Sequence, residues 1–105
     1  MNIQITSRKF RAKDSLKDFI NSEVGSLEKV YEDILDIDVI LSYENNINST
    51  KEAEIILKVP GRILTSKEYS DDFKKSIAAA VSKLEKQLGR IKSKRIENKR
   101  VEKVQ

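Results

Sequence analysis

The sequence predicts an α+β domain of order β-α-β-β-β-α, with two helices packed on one face of a four-stranded sheet. Three observations point there. Apolar and polar residues alternate in three short segments, they recur every three or four residues in two longer ones, and the only proline, Pro60, precedes Gly61 as a turn signal. With 105 residues the chain has the length of one domain.

Met1, Ile3 and Ile5 alternate with Asn2, Gln4 and Thr6, the pattern of a short half-buried strand. Asp14 is the expected N-cap of a helix whose apolar stripe is Leu16, Phe19, Ile20, Val24, Leu27 and Tyr31. Gly25 weakens that helix without ending it. The period becomes two over Asp36–Tyr43, where Ile37, Val39, Leu41 and Tyr43 share one face and Asp38, Ile40 and Ser42 the other. Glu44–Lys51, rich in Asn, Ser and Thr, reads as a loop. Ala53, Ile55, Leu57 and Val59 then alternate, Pro60-Gly61 reverses the chain, and an antiparallel strand follows over about Arg62–Glu68.

Ser70, Asp71 and Asp72 offer caps for the last helix, whose stripe is Phe73, Ile77, Val81, Leu84, Leu88 and Ile91. It is expected to run to about Lys94, with Gly89 a weak point. That makes 1–95 the folded domain and 96–105 a mobile basic C-terminal tail. The right-handed crossover rule makes the first two strands parallel neighbours, and the rest form an antiparallel meander. The sheet face carrying Asp38, Ile40, Glu54 and Ile56 is left to solvent or a partner.

Composition removes much chemistry. There is no cysteine and no histidine, so disulfides, thiol nucleophiles, thiolate or imidazole metal sites and histidine triads are excluded. The acids Asp33, Asp36 and Asp38 occupy a helix-to-strand corner rather than a concave site, and read as solvated side chains rather than metal ligands. No cofactor, metal, small-molecule substrate or enzymatic activity is expected. No run approaches the ~18–20 apolar residues of a membrane span and no secretory pattern opens the chain, so the expectation is a soluble cytoplasmic protein without a membrane partner.

Charge is unevenly distributed. Lys and Arg number 21 against 17 Asp and Glu, a net +4, but residues 1–52 are net acidic and residues 53–105 strongly basic. At 100° per residue, with Lys83 at 0°, the apolar stripe of the last helix falls at about 80–160°. Lys75, Lys86, Arg90 and Lys94 fall at about 280°, 300°, 340° and 20°, and no carboxylate lies among them. Solvated helices usually set Glu against Lys at i, i+4; stacked like charges cost a few tenths of a kcal/mol per pair, a cost that a polyanion's phosphates remove. Arg8 and Lys9 belong to a second basic group near the start. With no evident stacking platform of exposed aromatics, contacts to phosphates and shape are expected, as suits structured RNA.

The chain resembles the ribosome hibernation-promoting factors, also called ribosome-associated inhibitors or sigma-54 modulation proteins, in their short form. The resemblance spans nearly all of residues 1–95. It rests on the opening strand, on Leu16-Lys17-Asp18-Phe19-Ile20, on Leu27-Glu28-Lys29 before Tyr31, on Pro60-Gly61, and on Lys83-Leu84-Glu85-Lys86-Gln87-Leu88 followed by Arg90, Lys92 and Lys94. It implies a fold similar to a double-stranded-RNA-binding domain. It also implies binding to ribosomal RNA in the decoding channel of the small ribosomal subunit, where the protein blocks messenger and transfer RNA sites and inhibits translation in stationary phase or stress. Lys83, Lys86, Arg90, Lys92 and Lys94 match the family's basic second helix, and Lys29 matches a polar position ending the first. Lys75, Arg8 and Lys9 are added from geometry and charge. Where family members often carry lysine in the first helix this chain has Glu23 and Ser26, which implies a weaker contact there. Off the ribosome a monomer is expected. The competing reading is a general structured-RNA-binding module, because one basic helix serves both.

Overall fold

Period-two alternation dictates the sheet. In the computed structural model, which describes residues 1–43 and 50–104 with side chains as far as Ser93, the strands are β1 (Asn2–Ser7), β2 (Asp36–Tyr43), β3 (Lys51–Val59) and β4 (Arg62–Ser70). They lie in the order β1-β2-β3-β4. β1 and β2 are parallel, with Ile3 beside Ile37 and Ile5 beside Val39, while β2–β3 and β3–β4 are antiparallel. The crossover and the meander are both as the sequence predicts. Gly61 turns the chain at a φ of 77°, a left-handed conformation that glycine adopts without strain. The loop expected over Glu44–Lys51 falls mostly on residues 44–49, outside the described residues, and Lys51 is already strand.

The first helical segment differs from its prediction at both ends. Helix α1 (Asp14–Gly25) begins with Asp14 inside it, and the carbonyl of Lys13 accepts the N–H groups of Leu16 and Lys17. Asp14 is thus not the N-cap. Its charge still lies in the first turn, where the helix dipole favours an acid. Gly25 does end α1: Ser26 turns its hydroxyl back onto the Glu23 carbonyl at 2.6 Å, and a single further turn, α2 (Leu27–Val30), carries the stripe on. Low helix propensity at glycine, together with a serine that competes for the backbone, explains the break.

Helix α3 (Phe73–Val104) begins where predicted, with the Asp72 carboxylate accepting the Lys74 N–H at 3.0 Å. It does not stop near Lys94. No glycine or proline follows Gly89, and the Lys, Arg and Glu that dominate the remaining sequence are strong helix formers, so the backbone continues to Val104. The mobile tail expected over residues 96–105 lies outside the described side chains.

Both helical layers cover one face of the sheet. Ile37, Val39 and Leu41 of β2 and Ala53, Ile55 and Leu57 of β3 meet Ile20, Val24 and Leu27 from α1–α2 and Ile77, Ala80, Leu84 and Leu88 from α3, all without solvent exposure. One polar residue sits among them. The Ser76 hydroxyl, fully buried, bonds to the Lys51 carbonyl at 2.8 Å and to the Ser70 hydroxyl at 2.6 Å, tying the first turn of α3 to the adjoining ends of β3 and β4. No helix among the described residues is long and apolar enough to cross a membrane.

The other sheet face carries a polar row set by register. Ser42 lies beside Glu52, and Glu52 beside Tyr69. The Ser42 hydroxyl donates to Glu52 Oε2 at 2.8 Å and the Lys67 ammonium lies 3.3 Å from Oε1. Burial works against the Glu52 charge, but hydrogen bonds from Ser42, Lys67 and Tyr69 outweigh it together and hold the carboxyl below its ordinary value. The hydrogen bond to Glu52, and then its charge, hold Lys67 above the ordinary 10.5.

Two outcomes follow from this packing. Leu84→Ala, which opens a cavity beneath α3, lowers unfolding stability by about 2–5 kcal/mol, whereas Lys86→Ala on the exposed side changes it by no more than about 0.5 kcal/mol in urea denaturation. The folded pKa of Glu52 lies below the unfolded one, so its stabilisation is complete above the ordinary carboxylate value and is lost as pH falls through the folded value. The difference in melting temperature between the parent and Glu52→Gln is therefore widest near neutral pH and closes in strong acid; a constant difference contradicts the assignment.

Candidate nucleic-acid interface

Because α3 commits one side to the sheet, the residues opposite its apolar stripe must face outward. Lys75, Lys83, Lys86 and Arg90 are all exposed, so the helical spacing does present cations to solvent. The absence of carboxylates among them does not survive in three dimensions. Glu68 reaches from β4 to pair with Lys83, and Asp71 lies 3.2 Å from Lys75 across one helical turn. The row is compensated at these two positions by acids lying outside the helix. Glu68 belongs to β4 and is invisible to a projection of the helix, whereas Asp71 stands four residues before Lys75, a spacing at which opposite charges pair on a helix.

The pair at Lys83 follows from how α3 lies on the edge strand. Alternation in β4 turns Ser66 and Glu68 toward the helices, beside Ile55 and Ala53 of β3. Glu68 Oε1 is shielded from solvent and meets the Lys83 ammonium. One helical turn on, Gln87 donates to the Thr65 carbonyl of β4 at 3.4 Å, so α3 also caps part of the open edge.

Lys86 and Arg90 remain. Both are exposed, and neither has an ion pair among the described residues. Arg90 also lines a shallow cleft of about 190 Å³ with Arg62, Leu64, Gln87 and Ile91. Arg62, the first residue of β4, is a cation that the sequence reasoning missed. It lies far from α3 in sequence, and only the strand pairing brings it under the helix. An arginine's planar fork matches two phosphate oxygens at once, while a lysine offers a point charge. Arg62 and Arg90, which line one cleft, and the exposed Lys86 one helical turn before Arg90 are thus the cations on this side best suited in chemistry to a phosphate.

The other predicted positions scatter around this group. Lys92 is exposed but falls at about 180° on the same projection, on the flank away from Lys83. Lys29 is exposed on α2, which packs against α3. The side chain of Lys94 lies outside the described residues. Arg8 and Lys9 are exposed at the opposite end: β1 finishes beside Leu41, and the neighbouring ends Tyr43, Lys51 and Ser70 lead into the start of α3. They do not join Arg90. At that end Phe10 stacks on Phe73 with ring centroids 5.1 Å apart and meets Tyr43 edge-on at 5.4 Å, an aromatic cluster that the scattered sequence positions gave no sign of. Lys74 lies over the Phe19 ring at 5.6 Å.

No group of three or more carboxylates that could hold a metal ion occurs among the described residues, Asp33, Asp36 and Asp38 included. The side of α3 carrying Lys86 and Arg90 offers exposed cations without exposed aromatics, an arrangement suited to a phosphate backbone rather than to base edges.

Comparison with known proteins agrees with this picture of the fold. The chain is 26% identical over 94 residues to the ribosome hibernation promotion factor of Bacillus subtilis, covering 90% of this chain and 50% of that one. It is 26% identical over 97 residues to the ribosome hibernation promoting factor of Azotobacter vinelandii, covering 92% and 88%. The chain thus spans half the length of the first relative and most of the second. Among solved structures, a ribosomal subunit interface protein from Coxiella burnetii superposes with a TM-score of 0.79 at 25% identity, over 89% of this chain and 99% of that one. The N-terminal domain of Protein Y from Thermus thermophilus gives 0.76 at 28% identity, over 87% and 99%. Residues 3–96 match the family model described as Sigma 54 modulation protein / S30EA ribosomal protein, and the chain belongs to that family.

Proposed function

We propose that this protein is a ribosome hibernation factor acting in the cytoplasm. It binds ribosomal RNA in the decoding channel of the small subunit, occupies the places of messenger and transfer RNA, and inhibits translation in stationary phase or stress. Its role is binding, not catalysis. The observation that carries the reading is the outward side of α3, where Lys86 and Arg90 stand exposed and unpaired among the described residues while the opposite side is locked in the core. Family membership and the names of the relatives support the ribosome as the source of the phosphates. The likeness of the fold to a double-stranded-RNA-binding domain, with a helix laid along a groove, belongs to the same proposal.

Lys86 and Arg90 are assigned the main phosphate contacts, with Arg62 beside them. Lys83 and Lys75 contribute less, because each must leave a carboxylate to meet a phosphate. Lys29, Lys92 and Lys94 extend the contact, and Arg8 and Lys9 serve a separate one at the start of α3.

The test is sucrose-gradient sedimentation with purified small subunits at graded salt, with random duplex RNA as competitor. The parent protein co-sediments and resists displacement by the duplex; equal affinity for arbitrary duplexes assigns a general RNA-binding module instead. Lys86→Gln with Arg90→Gln flattens the slope of log affinity against log salt by about two units, at roughly 0.9 per lost phosphate contact. Lys75→Gln with Lys83→Gln flattens it by clearly less. Glu68→Gln, which frees Lys83, tightens binding and steepens the slope. Equal effects of the two double variants contradict the division of roles.

A further inference from the structure

Between the turn after β1 and the start of α3 lies an open groove of about 330 Å³, away from the Lys86–Arg90 side. Its wall is apolar, made by Phe10, Ala12, Leu16 and Phe73, and basic side chains stand at its rim. The wall is held in place. Phe10 is fixed between Phe73, stacked at 13°, and the edge contact of Tyr43. The backbone just before it, at Lys9, takes a φ of 65°, a left-handed conformation costing a non-glycine residue about 1 kcal/mol. That turn carries Phe10 inward and leaves Lys9 outside.

The rim charges are unequally engaged. Asp71 is paired with Lys75, its carbonyl takes the Lys51 ammonium at 3.3 Å, and Asp72 caps α3. Both acids are therefore occupied, and the capped helix end is not itself an anion site. Arg11 and Lys13 are exposed and have no ion pair among the described residues. An apolar wall beneath free cations matches a flat ring joined to a phosphate. The volume, at the small end of ligand-sized clefts, suits one such unit.

From this we infer that the groove receives a single unpaired RNA nucleotide, its base against Phe10, Leu16 and Phe73 and its phosphates on Arg11 and Lys13. Base-to-aromatic contact of this kind is how proteins hold splayed nucleotides. The inference rests on the RNA-binding reading of α3 and adds to it. Phe73 and Arg90 are about 25 Å apart along the helix axis, so the protein grips two separated parts of one RNA, a backbone at one end and a flipped-out base at the other.

The experiment is an NMR titration of the isotope-labelled full chain with adenosine 5′-monophosphate, the trinucleotide ApApA and inorganic phosphate. Adenosine monophosphate is expected to shift amides of residues 10–16 and 72–74 saturably, ApApA to do so more tightly, and phosphate at equal concentration to leave them unchanged. Ser15→Trp places an indole in the groove from an exposed position without removing a core residue or a charge; it weakens both nucleotides by about tenfold, while Arg11→Gln with Lys13→Gln weakens ApApA more than the monophosphate. Equal shifts with phosphate, no shift in the groove, or full binding by Ser15→Trp overturns the inference, and equal affinity for monophosphate and ApApA overturns its assignment to RNA. The two readings fail separately. Parent protein that sediments with small subunits but shows no groove shifts refutes the groove alone, and groove shifts without sedimentation refute the ribosome reading alone.

Discussion

The seating of α3 on the sheet is the constraint from which the other features follow. Ile77, Ala80, Leu84 and Leu88 lose all contact with water against β3 and β4, each large side chain contributing about 1.5–3 kcal/mol. A helix fixed by one side has no freedom to rotate about its axis. Its remaining positions are assigned as strictly as its buried ones, so Lys86 and Arg90 face solvent because Leu84 and Leu88 do not. Ser76 adds a directional lock at the first turn, where buried hydrogen bonds set the register of α3 against the ends of β3 and β4.

That seating also decides which cations are free. α3 lies close enough to the edge strand for Glu68 to reach Lys83 and for Gln87 to reach the Thr65 carbonyl. The sheet thus neutralises the middle of the row and leaves its later turns charged. The Asp71–Lys75 pair is solvent-exposed and therefore weak, while the Glu68 carboxylate is partly shielded and holds Lys83 more firmly. The pairs grade the surface rather than silence it. Meanwhile the uncovered sheet face carries Asp36, Asp38, Glu52 and Glu54 against Lys58 and Lys67, so it is acidic where the outward side of α3 is basic, and the molecule has an electrostatic front and back.

Much of the fold was legible because period and turn chemistry are local. Alternation at Ile37–Val39–Leu41 and Ala53–Ile55–Leu57, the Pro60-Gly61 turn and the stripe from Phe73 to Leu88 each specify an element without reference to the rest of the chain. The misses are where competing local terms nearly balance. Gly25 and Ser26 end α1 rather than merely weakening it, the Lys13 carbonyl rather than the Asp14 side chain starts that helix, and α3 passes Lys94 because nothing in its sequence stops it. The candidate interface was legible only as far as one helix reaches. Exposure of Lys86 and Arg90, and the i, i+4 pairing of Lys75 with Asp71, are properties of local spacing, but the partner of Lys83, the approach of Arg62 and the cluster of Phe10, Tyr43 and Phe73 depend on residues brought together from distant parts of the chain.

The most direct test of the central claim is a cryo-electron microscopy map of the full chain bound to purified small ribosomal subunits. The account predicts density for α3 lying along ribosomal RNA, with Lys86 and Arg90 at phosphates and the Glu52–Lys67 face of the sheet turned away from the RNA. A map in which that sheet face lies on the RNA, or in which the outward side of α3 touches only protein or solvent, would contradict it.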